Sequence, residues 1–185
     1  MLANALSQAG HDVLCLKGVG ATSPLRFHGP RMIPFTTNAD LQEKLVAISD
    51  RNQVGAFFHT AALCDFKASE VLREDGKTLD AAAKISSREG RLTILLEPLP
   101  KLITELRALF PSAKIVGWKY ELDGNRDQVL AAAHRQMREA NSDACVANGA
   151  AWGAGFGLCE GKAPPIIFPD KRNLCSGLVT WLAKG

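Results

Sequence analysis

The chain has no C-x-x-C pair, and its five cysteines (Cys15, Cys64, Cys145, Cys159 and Cys175) are odd in number and widely spaced. That pattern argues against a disulfide framework and a zinc knuckle, and makes a reducing cytoplasm the economical compartment. No apolar run approaches the roughly 18 residues that a membrane span needs. The first ten residues lack the basic and long apolar regions of a secretory signal. An excess of one charge is also missing. The net charge of +3 is evenly spread, too weak to point to nucleic acid. There is no repeat, low-complexity tract or linker. What remains is 185 residues, 46% apolar and 22% charged, enough for one globular domain with a real core.

Along that chain, strand-like and helix-like segments alternate. Residues 2–9 read as a short helix ended by Gly10, and 11–17 as a strand running into the loop GVGATSP. Residues 32–37 read as a second strand. Asn38 then caps a helix with an apolar stripe at Leu41, Leu45 and Ile48. Residues 54–61 give a third strand, and 114–122 and 143–152 two more. Between those last two, Val129, Ala132, Ala133 and Met137 recur at helical spacing, and 171–183 form a closing helix. Such alternation predicts βαβ units and a Rossmann-like, doubly wound, mostly parallel α/β sheet. A doubly wound domain ordinarily opens with a strand and a glycine-rich loop. Here Met1 falls at or inside the first helix, so that strand and loop are expected to be missing. One polar segment, 66–90, interrupts the alternation before the strand RLTILLEPLP. The reading is a single domain, 1–185, with 66–98 as a protruding flap or arm.

The stretch VGAFFHTAALCDFK carries a His, a Cys and an Asp within seven positions. A metal site or a Cys–His nucleophile meets a geometric objection. His59 and Cys64 point to opposite faces of an extended chain, and Asp65 lies about 20 Å along it from His59. A ligand-binding strand end fits better. Ligands of open α/β sheets bind beyond the carboxyl ends of the strands, where small residues such as Thr60, Ala61 and Ala62 admit them and an acid such as Asp65 accepts hydrogen bonds. Asp65 reads equally well as a turn cap.

Two glycine-rich stretches, GVGATSP and WGAGFG, lack the G-x-G-x-x-G spacing and a helix opening behind them, so neither is a phosphate loop. In GWKYELD, Trp118 and Tyr120 share one face of a strand, Lys119 and Glu121 the other. These residues could hold a base and a phosphate, or Trp118 could pack on a neighbouring helix.

In this order, LANALSQAGHDVLCLKG, AALCDF, AKISS with RLTILLEPLPKLI, IVGWKYELD and ACVANGAAWGAGFG resemble the phosphopantothenoylcysteine synthetase (phosphopantothenate–cysteine ligase) family of the DNA/pantothenate metabolism flavoprotein group. The resemblance covers nearly the whole chain. It implies a cytoplasmic, dimeric ligase of coenzyme A biosynthesis. With CTP or ATP as cosubstrate and Mg²⁺, such an enzyme activates the carboxylate of 4′-phosphopantothenate and joins it to the amine of cysteine. A phosphopantothenoylcysteine decarboxylase is an implied partner; no metal-ligand residues, nucleic acid or membrane are. The alternative is a truncated or degenerate member that binds nucleotide or flavin without catalysis. By position, Lys84 matches the family's catalytic flap lysine. Ala61, Ala62, Asp65 and Phe66 match its ribose wall, Trp118, Lys119, Tyr120 and Glu121 its base pocket, and Asn148 a substrate-binding asparagine. Three departures stand out. Gly149 replaces the Asp of bacterial members. Gln136 and Ala140 fall where lysines often approach the triphosphate, which leaves Arg135 and Arg138 as the candidate substitutes. The segment before Lys84 is longer than in the bacterial members.

Overall fold

A computed structural model describes residues 1–22, 29–48, 50–80, 84–86, 88 and 90–184. Parts of the loop 18–24 (Ser23, Pro24) and of AKISS (Ala83, Ser87) lie outside the described residues. The chain divides into two compact units, Met1–Ala61 with Leu102–Gly185, and Ala62–Lys101.

The larger unit is α/β. Helix α1 (Leu2–Gln8) leads into β1 (Leu14–Gly18), which pairs in parallel with β2 (Arg31–Phe35). Helix α2 (Asn38–Val46) buries Leu41 and Leu45, as its apolar spacing predicts. Its cap is not Asn38 but Thr37, whose extended backbone lets Oγ1 accept from the Asp40 N–H at 3.1 Å. Strand β3 (Ala56–Phe58) is shorter than its apolar run, although single bonds at Gly55 and His59 extend its pairing.

A five-stranded sheet carries the core, in the order β10–β9–β8–β7–β3. Its members are β3, β7 (Lys114–Tyr120), β8 (Ala144–Asn148), β9 (Phe156–Glu160) and β10 (Ile166–Phe168). The β3–β7 and β7–β8 pairs are parallel, like β1–β2; the β8–β9 and β9–β10 pairs are antiparallel, so β9 alone runs against the others. Strand β8 shows no polar alternation because both of its faces are covered. Helix α4 (Arg126–Ala140) lays Val129, Ala133 and Met137 on Cys145, Ala147 and Cys159. On the other face, Leu174 and Leu178 of α5 (Lys171–Ala183), with Leu2 of α1, pack on Val116, Ala144 and Val146. Helices on both faces of a mostly parallel sheet make the fold Rossmann-like.

At the amino ends of β7 and β8 one arginine fixes the register. Arg107, on the short helix α3 (Leu106–Leu109), donates to the carbonyls of Pro111, Ala113 and Asn141 and to Asp143 Oδ2 at 2.7 Å. Asp143 Oδ2 also accepts from the Ile115 N–H at 2.6 Å, so a single side-chain pair satisfies backbone groups that the parallel ladder leaves open.

The smaller unit is a three-stranded antiparallel sheet in the order β5–β4–β6, from β4 (Phe66–Arg73), β5 (Thr78–Leu79) and β6 (Leu92–Pro98). The polar segment after residue 66 thus contains a strand that its polarity concealed. The β4–β5 turn closes through Gly76, whose φ of 80° suits glycine, with Asp75 accepting from the Lys77 N–H. A bulge at Ser69 interrupts the β4–β6 ladder, and Leu99 N–H donates to the Asp65 carbonyl where the unit opens and closes.

Candidate functional site at the carboxyl ends of β7 and β8

Strands β7 and β8 end side by side, with Tyr120 opposite Asn148. The pairing continues beyond them. Glu121 N–H donates to the Asn148 carbonyl at 3.0 Å, and Ala151 N–H to the Glu121 carbonyl at 3.2 Å. Gly149 makes this crossing possible. Its φ is +118°, and a β-carbon there would collide with the Glu121 backbone. The Asn148 side-chain oxygen is buried at this junction with no hydrogen-bond partner among the described residues, a costly state for a native acceptor.

The alternation read from GWKYELD holds in three dimensions. Trp118 packs half-buried against the cluster under α5. On the opposite side, Lys119 Nζ meets Glu121 Oε1 at 2.9 Å, so the positive charge at this strand end is already balanced. Tyr120 is 60% exposed. Trp118 and Lys119 therefore serve opposite faces of the sheet. Gly117 leaves room for Gln136 of α4, whose Oε1 accepts from the Cys145 thiol at 3.3 Å, and Ala140 is buried. At two positions where family members often carry lysines, this helix instead packs on the sheet.

Helix α4 opens with a full capping box: Gln128 N–H to Asn125 Oδ1 at 3.0 Å, and Asn125 N–H to Gln128 Oε1 at 2.9 Å. Neither of those amides remains open to an anion. Arg126 stacks 4.2 Å over the ring of Trp152. The Trp152 ring in turn fills the space that a β-carbon at Gly157 would need. The glycines of WGAGFG thus serve close packing and the entry to β9. Between α4 and the end of β7 runs a groove of about 510 Å³, with Glu121, Asp123 and Gly124 on one side and Gln128, Ala132 and Arg135 on the other.

Among the remaining predicted positions, Ala61 closes the first segment of the larger unit, three residues past β3. Ala62, Asp65, Phe66 and Lys84 belong to the smaller unit. Asp65 is exposed, and its carbonyl closes the sheet opening. Phe66 starts β4 with 55% of its surface exposed. Lys84 is exposed, without an ion pair or hydrogen bond among the described residues. The structure thus brings Trp118, Lys119, Tyr120, Glu121 and Asn148 to one strand-end junction and places the others by unit. Of the groove residues, Arg135 is the one that the resemblance offers as a substitute for a triphosphate lysine, whereas Asp123 was not among the expected site residues, because a single acid in a loop carries no local pattern.

His59 follows β3, its N–H donating to Val116, its ring 6.4 Å from that of Phe57. Burial pushes its pKa down to about 4. The ring therefore stays neutral in the native protein while an unfolded chain protonates near 6.5. The stability this contributes is complete above pH 6.5 and lost as pH falls from 6.5 to 4, at most about 3 kcal/mol. A thermal-midpoint series should show a shallower acid decline for His59→Phe than for the wild type; parallel curves would rule out burial of this ring as the cause. Cys145 and Cys159 are held as thiols, burial raising their pKa to about 12 and about 11. Cys64 is exposed, because it lies beyond the strand at the start of the smaller unit. Among the described residues no three His, Cys, Asp or Glu side chains are grouped to hold a metal. Mg²⁺, which keeps most of its waters and binds largely through phosphates, does not need such a cage. No helix among the described residues is long and apolar enough to cross a membrane.

Comparison with known proteins agrees with this architecture. The DNA/Pantothenate Metabolism Flavoprotein from Streptococcus pneumoniae superposes with a TM-score of 0.77 at 16% identity, over 99% of this chain and 83% of that one. The C-terminal domain of the Coenzyme A biosynthesis bifunctional protein CoaBC gives 0.69 at 17% identity, over 99% and 79%. A Cab2 mutant in complex with phosphopantothenate-cysteine gives 0.58 at 17%, over 84% and 52%. At these identities the likeness is one of fold. In sequence, 88 residues are 34% identical to the CoaBC bifunctional protein of Thermococcus kodakarensis, covering 48% of this chain and only 19% of that protein. The model of the DNA/pantothenate metabolism flavoprotein C-terminal domain matches residues 1–173. With helices on both faces of the sheet and the match running through β10 into α5, the chain belongs to that family.

Proposed function

We propose that this chain is a phosphopantothenate–cysteine ligase of coenzyme A biosynthesis. A carboxylate oxygen of 4′-phosphopantothenate attacks the α-phosphorus of CTP or ATP, and pyrophosphate leaves with Mg²⁺ supplying charge neutralisation. The amine of cysteine then attacks the acyl carbon; the nucleoside monophosphate departs, and the amine's protons pass to solvent. Such a reaction needs a carboxylate held against an α-phosphate with its charge screened. The observation that carries the reading is the buried Asn148 oxygen at the junction of β7 and β8, which has no partner among the described residues. It calls for a hydrogen-bond donor, and an amide or hydroxyl of a pantothenate-like substrate supplies one. Family membership, and relatives named for coenzyme A biosynthesis and for a phosphopantothenate-cysteine complex, support the same reading.

The test is pyrophosphate release by the purified protein in Mg²⁺ buffer. Sustained release is expected only when CTP or ATP, 4′-phosphopantothenate and cysteine are all present. No release with either triphosphate would sink the ligase reading, and nucleotide binding without turnover would favour a non-catalytic nucleotide- or flavin-binding domain.

A homodimer belongs to the same proposal. Ile94, Leu95 and Leu96 of β6 are 58%, 42% and 60% exposed. Because successive strand residues face opposite ways, Ile94 and Leu96 share one apolar face of this edge strand, with Leu95 on the other. A second copy is the economical cover. Sedimentation should report a dimer for the wild type and a monomer for the Ile94→Lys, Leu96→Glu double variant; a persistent dimer would remove β6 from the interface.

A further inference from the structure

The fold sets two of the chain's cysteines face to face. In the antiparallel β8–β9 pair, Cys145 stands directly opposite Cys159. Residues opposed in this way project to the same side of the sheet. Both thiols accordingly lie in the cluster under α4, fully buried with Val129, Ala133 and Met137. The other three cysteines are elsewhere. Cys175 lies on α5, which covers the opposite face, Cys15 on β1, and Cys64 in the smaller unit.

The register alone makes this pair linkable. Opposed α-carbons of an antiparallel ladder are about 5.5 Å apart in a hydrogen-bonded pair and about 4.5 Å in a non-hydrogen-bonded one. A disulfide accepts α-carbons about 4.4–6.8 Å apart, which includes both cases. The pair is also close to the strand-end junction, with Cys145 on the same strand as Asn148. Its thiol donates to Gln136 Oε1 at 3.3 Å, and Gln136 is the side chain that occupies the space beside Gly117 of β7. A change at this sulfur is therefore felt on both β7 and β8.

We infer that Cys145 and Cys159 form an oxidisable dithiol, a modification site whose substrate is a peroxide and whose product is a cross-strand disulfide. The peroxide O–O bond breaks as one sulfur takes up a hydroxyl group, giving a sulfenic acid and one water. The thiol opposite then attacks that sulfur. The S–S bond forms, the S–O bond breaks, and the hydroxyl leaves as a second water with the attacking thiol's proton. Each sulfur loses one electron and the peroxide gains both. A small dithiol reverses the step by exchange. Burial under α4 holds both groups as thiols and keeps them from solvent, so oxidation waits on local opening of the helix. The link closes residues 146–158, the segment that carries Asn148 and Gly149. None of this depends on the ligase reading.

The test is treatment of the folded wild-type protein with hydrogen peroxide, then alkylation of free thiols in denaturant and tryptic mass mapping. No lysine or arginine lies between Arg138 and Lys162, so both cysteines fall on one peptide, 139–162. That peptide should lose both labels, weigh about 2 Da less than its unlabelled dithiol form, and recover both labels after dithiothreitol. The oxidised monomer should gain about 5–10 °C in thermal midpoint, because the cross-link restricts the unfolded chain. Cys159→Ala should show neither the mass loss nor the gain, and the wild-type mapping stands whether or not that variant folds. Retention of both labels at a peroxide dose that consumes the exposed Cys64 overturns the assignment. So does conversion of either cysteine to a sulfinic or sulfonic acid without the mass loss. A cross-link that lowers the midpoint, or forms only in denaturant, overturns it too, since neither belongs to the native sheet.

Discussion

Replacing Lys84 with glutamine is expected to lower pyrophosphate release about 100-fold or more, with the thermal midpoint essentially unchanged. The first half of that expectation rests on the proposed ligase reaction and on the resemblance, which gives Lys84 the place of the flap lysine. As pyrophosphate leaves an α-phosphorus, negative charge accumulates on oxygens that no neutral amide stabilises as an ammonium does, and losing one such preorganised group typically costs two to three orders of magnitude in turnover. The second half follows from the structure. Lys84 is exposed, with no hydrogen bond or ion pair among the described residues, and surface substitutions of that kind usually stay within about 0.5 kcal/mol. A native lysine at the site already described, Lys119, is engaged with Glu121 and cannot take over without breaking that pair. Steady-state pyrophosphate assays alongside thermal denaturation decide the matter. Wild-type turnover in Lys84→Gln would show that the flap lysine has no catalytic role.

Gly149→Asp should be the most damaging single change to stability. The resemblance sets Gly149 where bacterial members usually carry Asp, so the substitution looks conservative by descent. The backbone says otherwise. Gly149 holds φ at +118°, a region closed to side chains, and its missing β-carbon is where the Glu121 backbone passes. Left-handed strain and a backbone collision together cost about 4 kcal/mol. For a chain of this length that is roughly 8–16 °C in thermal midpoint. Gly149→Ala should fall nearly as far, since the collision begins at the β-carbon, and that separates sterics from charge. A loss below about 1 kcal/mol in both variants would mean that Glu121 can move aside. In that case the Lys119–Glu121 pair, and the neutrality of the strand end, would not be fixed.

Much of this architecture was legible in the residues. The period of Val129, Ala132, Ala133 and Met137 gave α4, and the parity of Trp118 and Lys119 placed them on opposite sides of β7, because helical and strand periods are local properties. Strand β4 was not legible because FKASEVLR is polar at half of its positions without strict alternation and belongs to a small sheet that buries little. Strands β9 and β10 escaped because FGLCE and IIF are short and follow a run of glycines and prolines that reads as loop. The cap of α2 was displaced by one residue, since Thr37 and Asn38 are equally good capping residues in isolation and only the backbone dihedrals choose. Within the site, the strand-end residues could be named, but the balance of charge could not. That Lys119 spends its charge on Glu121 while Arg135 does not is a matter of side-chain reach across a turn and a helix.

The hydrogen bond from Leu99 to the Asp65 carbonyl, next to the Phe66–Pro98 pair, has a kinetic consequence. The β3–β7 pairing must close over the whole intervening segment, and closing a long flexible loop costs entropy that grows with its length. Once β4 and β6 have zipped together, the chain enters and leaves the smaller sheet at adjacent points. The remaining closure is that of a short loop. Assembly should therefore be ordered, with the β4–β6 ladder forming before β3 docks on β7. By the same token, residues 66–98 behave as a cassette: a tight turn joining Asp65 to Leu99 would preserve the spacing that β3 and β7 require.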